Sequence, residues 1–187
     1  FPEKVAISGS LTDEESRPMG NRTVRLQYSE DNGGTWLTIR DVQTVDNGSY
    51  GHVWAPEVGQ YLVRAHWDGL AGKYASAASS LQELSVLKGK PTVKLFVEPT
   101  ITSPGKNISV DVRIYPQLSE GQVTFEISTD NRTWTPAIIG QPVQGVFTPK
   151  WMPEAAGVYY VRASWTGTAE YEAMTSQIVI VTVGEIR

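Results

Sequence analysis

Apolar and polar residues alternate with a period of two along most of the chain, and glycine, proline, asparagine and aspartate separate the alternating segments. This alternation predicts β-strands with one buried face, and helical periodicity is nearly absent. In the first half of the chain, strands are predicted at residues 4–10, 22–29, 35–40, 50–54, 60–67 and 81–87. In the second half, they are predicted at residues 92–98, 107–115, 122–128, 133–139, 144–150, 158–165 and 177–183.

The second half of the chain repeats the first. Residues 54–69 return about 97 residues later as 151–167, and residues 24–32 correspond to 123–131. Self-similarity at a fixed spacing predicts two copies of one domain. The six predicted strands of the first copy and the seven of the second are typical of antiparallel sandwiches, which have about seven short strands. The predicted fold is therefore all-β, with two tandem immunoglobulin-like antiparallel β-sandwiches at residues 1–88 and 91–187.

The two copies differ at their first strands. Val5-Ala-Ile-Ser resembles Val110-Asp-Val-Arg, but the alternating segment 93–97 has no counterpart in the first copy, because the chain begins too late. The first residue is Phe rather than Met, so we expect a fragment or a processed form of something longer. We also expect either an open sheet edge beside residues 5–8, from Val5 to Ser8, or an edge filled by another segment. A strand donated by a neighbouring chain would make this protein a filament subunit.

Composition removes several classes of function. The net charge is −4 and no basic patch stands out, so nucleic acid is not an expected partner. No apolar run approaches the roughly 18 residues that a membrane helix needs. Because the chain has no cysteine, a disulfide framework and thiol chemistry are both excluded.

The asparagines indicate the compartment. Four of the five lie in the sequence Asn-x-Ser/Thr, which is an acceptor for N-glycosylation in surface loops of exported proteins. All four stand beside turn signals. The sequence therefore predicts N-linked glycans, and with them an extracellular or cell-surface location, at Asn21, Asn47, Asn107 and Asn131.

One motif in both copies resembles a known family. The segment beginning at Gly59 has the layout of a tyrosine corner, with Tyr61 at the start of a strand and Trp67 on the same face; Tyr159 and Trp165 repeat it. The pattern Gly-x-Tyr-x-Val-x-Ala-x-Trp-x-Gly resembles bacterial and archaeal Ig-like repeat domains of cell-surface proteins. This resemblance implies a spacer, an S-layer building block, a filament subunit or an adhesin stalk, and fold analogy does not choose among them.

A second motif resembles the Asp-box of sialidases. It reads Ser-Glu-Asp-Asn-Gly-Gly-Thr-Trp from Ser29, and the second copy keeps Asp130 but lacks the glycine position. We expect Asp31 and Asp130 to accept hydrogen bonds from the backbone amides of tight hairpins. The motif is therefore interpreted as a structural element.

No catalytic residue, metal ligand or cofactor site is predicted. His52 and His66 are the only histidines, and without cysteines they make neither a convincing zinc site nor a triad. The acidic stretch 13–15 could contribute to a calcium site assembled in space, or it could be a solvated loop. The six tryptophans pair between the copies, which favours packing over sugar binding.

The resulting hypothesis is a non-catalytic extracellular structural protein of an S-layer, filament or stalk. Its partners would be sister Ig-like domains or copies of the same chain. A carbohydrate-binding or adhesion module is an alternative, with a platform at tyrosines outside the shared set: Tyr28, Tyr50, Tyr115 or Tyr160. Accessory domains of a secreted enzyme are a third possibility, with catalysis elsewhere in the parent chain.

Overall fold

The protein is described by a computed structural model that covers residues 4–185. Every regular element in this range is a β-strand, so the all-β prediction is confirmed. Within the same range, no helix is long and apolar enough to cross a membrane. The chain divides into two compact units: unit 1 ends at Leu87, and unit 2 begins at Lys88.

The described part of unit 1, from residue 4 onward, contains seven strands arranged in two sheets. The strands are β1 (Val5–Ser10), β2 (Thr23–Ser29), β3 (Leu37–Gln43), β4 (Ser49–Trp54), β5 (Gly59–Trp67), β6 (Ala77–Ala78) and β7 (Gln82–Val86). β1 and β4 form a two-stranded sheet, and β3-β2-β5 form the second, in which both β6 and β7 pair with β5. All of these pairings are antiparallel.

Unit 2 repeats this arrangement and adds a segment. Its strands are β8 (Thr92–Glu98), β9 (Ile101–Thr102), β10 (Ile108–Tyr115), β11 (Val123–Ser128), β12 (Thr135–Gly140), β13 (Val146–Phe147), β14 (Lys150–Trp151), β15 (Gly157–Trp165), β16 (Met174–Thr175) and β17 (Val179–Val183). β10 pairs with β8 on one side and with β13 and β14 on the other. The second sheet runs β12-β11-β15-β17-β9, and its β9–β17 pairing is parallel.

The core of unit 2 lies between its two sheets. Ile108, Val110 and Val112, at alternating positions of β10, are at most 1% exposed. Phe125 and Val161, from the opposite sheet, are fully buried in the same core. Alternating inward residues of two facing antiparallel sheets define the immunoglobulin-like sandwich.

Two details of the sequence prediction are wrong. The strand predicted at residues 144–150 is broken into β13 and β14, with Pro149 between them, because proline has no N–H for a ladder. The predicted equivalence of Val5 and Val110 is also displaced by two residues. Val5 lies opposite Trp54 as Ile108 lies opposite Trp151, so Val5 corresponds to Ile108.

Candidate functional site

Both predicted tyrosines have the hydrogen-bond geometry of a tyrosine corner. The Tyr61 hydroxyl donates to the Glu57 carbonyl oxygen at 3.0 Å. The Tyr159 hydroxyl donates to the Ala155 carbonyl oxygen at 2.9 Å. Each bond joins the start of a long strand to the loop four residues earlier, so these tyrosines fix the entry of β5 and β15.

The predicted tryptophans Trp67 and Trp165 are core residues. Trp165 is 1% exposed, and its indole N–H donates to the Glu120 carbonyl oxygen at 2.9 Å. Trp67 is 8% exposed, and its ring lies 6.0 Å from that of Tyr74. Both side chains are therefore mainly packing residues.

Asp31 organises the hairpin between β2 and β3. Its Oδ1 accepts the Ser29 hydroxyl and the Thr35 N–H, both at 2.7 Å. The Ser29 hydroxyl oxygen also accepts the Gly33 N–H at 2.9 Å. The bond from Ser29, followed by that from Thr35, lowers the pKa of Asp31 to about 2, because both stabilise the carboxylate.

Asp130 occupies the same position in the hairpin between β11 and β12. Its Oδ1 accepts the N–H groups of Thr133 at 2.7 Å and Arg132 at 2.8 Å, and the Ser128 hydroxyl at 2.9 Å. These bonds, that from Thr133 first, hold the pKa of Asp130 well below its usual range. Both carboxylates accept hydrogen bonds from backbone amides of their own hairpins, so their role is structural.

An arginine stacks on the hairpin tryptophan in each unit, a feature that the sequence interpretation missed. The Arg64 guanidinium lies 3.9 Å from the ring centroid of Trp36, and Arg162 lies 4.0 Å from that of Trp134. Stacks of this kind are attractive because the ring face is negative. The signal was present in the repeat, since both arginines occupy the same position of the shared motif.

The four sequon asparagines are all solvent-exposed. Asn21 and Asn131 have positive φ angles of 53° and 58°, which asparagine tolerates in turns. The Asn47 Oδ1 accepts the Ser49 N–H at 3.0 Å. Each asparagine thus lies where an attached sugar would project from the sandwich.

The histidines and the acidic loop do not form a site. His66 Nε2 lies 3.1 Å from Asp68 Oδ1. Asp13 is tied to its own turn, where its carboxylate accepts the N–H of Arg17 at 2.9 Å and the guanidinium Nε–H at 2.7 Å. In residues 4–185, no group of three or more His, Cys, Asp and Glu side chains could hold a metal ion.

Three aromatic rings of unit 1 meet beside a shallow cleft. The ring centroids of Tyr28 and Tyr61 lie 5.7 Å apart, and Trp54 lies 5.2 Å from each. Glu30 and Glu57 join them around a cleft of about 300 Å³. Of these three rings, only Tyr28 is among the tyrosines predicted as a sugar platform. The other predicted tyrosines lie elsewhere: Tyr50 covers Gly9, Tyr115 is 42% exposed beside Lys94, and Tyr160 is half-buried.

The most distinctive surface of unit 1 is the outer edge of β1. Among residues 4–185, β1 pairs only with β4, whereas the equivalent β10 has partners on both sides. The Leu11 N–H donates to the Gly48 carbonyl oxygen, in the register of the β1–β4 pair. The N–H groups of alternate residues before it, such as Ile7 and Gly9, therefore face β4. Those of Ala6, Ser8 and Ser10 therefore point out of the open edge.

Comparisons with known proteins find only distant structural similarity. No family model and no curated protein matches the chain. The FN1–FN3 domains of chicken CNTN1 are 14% identical with a TM-score of 0.40, over 97% of this chain and 63% of theirs. The Yersinia pseudotuberculosis adhesin InvE is 14% identical with a TM-score of 0.43, over 98% of this chain and 55% of its own.

A third similar structure is the Escherichia coli adhesin FdeC, which is 13% identical with a TM-score of 0.41, over 98% of this chain and 60% of its own. This chain therefore spans less than two thirds of each of these structures. At scores below 0.5 the likeness carries no argument about function. The description of the fold rests on the strand pairing within this chain.

Proposed function

We propose that this protein is a non-catalytic, glycosylated structural component of a cell surface, such as an S-layer, filament or stalk, and that it assembles through the edge of β1. The observation that carries the proposal is the unpaired edge itself. A sheet edge with free N–H and C=O groups is a template for another strand, and proteins normally pair it or cover it. Strand addition is a common mode of assembly.

The four exposed sequons support the extracellular location. Their asparagines lie on loops at non-equivalent positions of the two units, so the repeat itself did not duplicate them. The two most reactive candidates each have a partner close in sequence: His66, near the end of β5, contacts Asp68, and Asp13 accepts the Arg17 N–H. These features favour a structural role over catalysis.

Site-specific photo-cross-linking tests the assembly. A photoreactive amino acid at Ser8, on the open edge, should give an adduct with a second Ig-like polypeptide or another copy when the protein is made by its native organism. The matched control places the same amino acid at Glu154, an exposed loop residue of unit 2. Equal labelling at the two positions, or none at Ser8, would contradict assembly through this edge.

Mass spectrometry of native material tests the surface assignment. We expect glycans on the sequon asparagines, and a variant such as Asn47→Gln should lose one glycan mass while Asn32→Gln, outside any sequon, should lose none. Unmodified asparagines at all four positions would remove the support for an extracellular location.

The aromatic cleft of unit 1 supports carbohydrate binding as a second candidate function. Partly exposed aromatic rings beside carboxylates suit the apolar faces and hydroxyls of a sugar ring, and Tyr28 and Trp54 are half-buried rather than buried. NMR titration with a panel of oligosaccharides should shift signals of Tyr28 and Trp54 if this function holds, and Tyr28→Ala should abolish the shift. Unchanged spectra across the panel would exclude it.

A further inference from the structure

One short segment closes both sheets of unit 2. Residues 92–102 first run antiparallel to β10 as β8 and then parallel to β17 as β9. The inward side chains Val93, Leu95 and Val97 are at most 5% exposed. The side-chain amide of Gln177 donates to the Leu95 carbonyl oxygen at 2.7 Å and holds β8 against the opposite sheet.

Unit 1 has both corresponding edges, and within residues 4–185 neither has a partner. β1 corresponds to β10, as shown above. β7 corresponds to β17, because Val86 pairs with Gly59 as Val183 pairs with Gly157. Among the described strands, β7 pairs with β5 alone, while β17 also pairs with β9.

The same register shows which backbone N–H groups point outward from the edge of β7. In unit 2, the N–H groups of Thr182 and Gly184 donate to the carbonyl oxygens of Thr100 and Thr102, both at 2.8 Å. Their counterparts in unit 1 are Ser85 and Leu87. Leu87 is 77% exposed. The edges of β1 and β7 therefore present unpaired N–H donors in the same arrangement that residues 92–102 satisfy in unit 2.

A cavity marks where the side chains of an added strand would lie. Its volume is about 180 Å³, and its walls include Leu11 and Tyr50 from one sheet and Ala65, Trp67 and Ala77 from the other. In unit 2, β8 occupies the corresponding place. Leu11 corresponds to Ile114, and Ile114 pairs with Val93 of β8. Ser10, Thr12, His66 and Ser79 also line the cavity, and its apolar part suits aliphatic side chains.

We propose that an extended segment of another polypeptide completes unit 1, running antiparallel to β1 and then parallel to β7, with aliphatic side chains at alternate positions. This inference rests on the proposed assembly through β1 and names the chemistry of the partner. The alternating apolar segments in the described part of the chain are already paired within their own unit. None of the described segments is therefore left to fill this place, and the proposed assembly through β1 supplies the eleven residues from a second polypeptide.

A synthetic peptide with the sequence of residues 92–102 is the probe, because that segment fills the equivalent position in unit 2. Titrated into the isotope-labelled 187-residue chain, it should bind with 1:1 stoichiometry and slow the exchange of the amides of Ala6, Ser8, Ser10, Ser85 and Leu87. A control peptide with serine in place of Val93, Leu95 and Val97 should bind at least tenfold more weakly. Equal binding of the two peptides would overturn the proposal.

The direction of the added strand is tested by a paramagnetic tag at the N-terminus of the peptide. Antiparallel addition to β1 places the peptide's Thr92 opposite Thr12, the counterpart of Tyr115, so signals near Thr12 should broaden. Broadening near Ala6 instead, or changes confined to unit 2, would contradict the proposed site.

Two proline variants test the edges separately. Ser8→Pro removes an outward N–H from β1, and Leu87→Pro removes one beyond the end of β7, and each should weaken peptide binding at least tenfold. The β2–β5 signals of the free variants report whether unit 1 stays folded, and Ser8→Thr should bind as the parent does. Failure of the matched peptide to bind overturns this inference, while cross-links at Ser8 in native material would leave the proposed assembly intact.

Discussion

The two units place equivalent side chains in equivalent positions but bury them to different extents. Val161 is fully buried in unit 2, and its counterpart Val63 is 8% exposed in unit 1. Trp165 and Trp67 are 1% and 8% exposed, and Ala163 is buried where Ala65 is half-buried. All of these residues lie on the long strand that faces the sheet of β10 or β1.

The difference in burial between the two units follows from β8, which packs on the core of unit 2. β8 packs its inward side chains against β15, β16 and β17, and unit 1 has no such strand in the described range. Each fully buried aliphatic side chain contributes about 1.5–3 kcal/mol relative to an exposed one. A repeat can thus keep its motif intact while a single edge strand decides how completely the motif is buried.

The largest effect is expected from the buried tryptophans. Trp165→Ala should lower the free energy of unfolding of unit 2 by about 4 kcal/mol, because it leaves a large cavity and removes the indole bond to Glu120. Trp67→Ala should cost unit 1 less, about 3 kcal/mol, because within residues 4–185 its indole makes no such bond.

Native-state hydrogen exchange on the full chain gives both values, read from the amides of β15 and β5 separately. Losses of equal size in the two units would show that the difference in burial has no energetic counterpart.

The strand that unit 1 lacks provides the next test. Leu95→Ala should destabilise unit 2 by about 3 kcal/mol and leave unit 1 unchanged, because Leu95 is 1% exposed at the centre of β8. Phe96→Ala, on the outward face of the same strand, should cost less than about 1 kcal/mol, since Phe96 is 48% exposed and contacts Arg113. Chemical denaturation followed by unit-specific NMR signals measures both, and a Phe96 effect as large as that of Leu95 would contradict the assigned face.

The sequence predicts most of the strands, because alternation with period two marks every strand that is half-buried. The same periodicity explains the error at β1. A shift of two residues keeps each apolar side chain on the same face, so Val5 matches Val110 or Ile108 equally well by pattern. Only the backbone pairing of Val5 with Trp54 fixes the register.

Other features lie beyond what sequence patterns can predict. The two-residue strands β6, β9 and β16 are too short to show any periodicity. The stacks of Arg64 and Arg162 join residues far apart in sequence, and only the shared repeat position hints at them. The open edge of β1 is predictable from comparison of the copies, whereas the second open edge at β7 depends on the pairing of β9 with β17.

The smallest expected effect is a difference between the two aspartate hairpins in the pH range over which each loses stability. Both pKa values are lowered in the folded protein, so each carboxylate contributes stability above the ordinary pKa of 3.8 that is lost as the pH falls through the folded value. For Asp31 this window extends from about 4 down to about 2. Asp130 accepts N–H groups from both Arg132 and Thr133, so its pKa should be the lower of the two.

Carboxyl-carbon NMR titration orders the two groups directly. Asp31→Asn should reduce the acid sensitivity of unit 1 between pH 4 and about 2 without changing unit 2, and Asp130→Asn should do the reverse. If Asp31 titrates below Asp130, the count of backbone donors does not govern these hairpins. The added glycine of the first hairpin would then be the feature that tightens the bonds to its carboxylate.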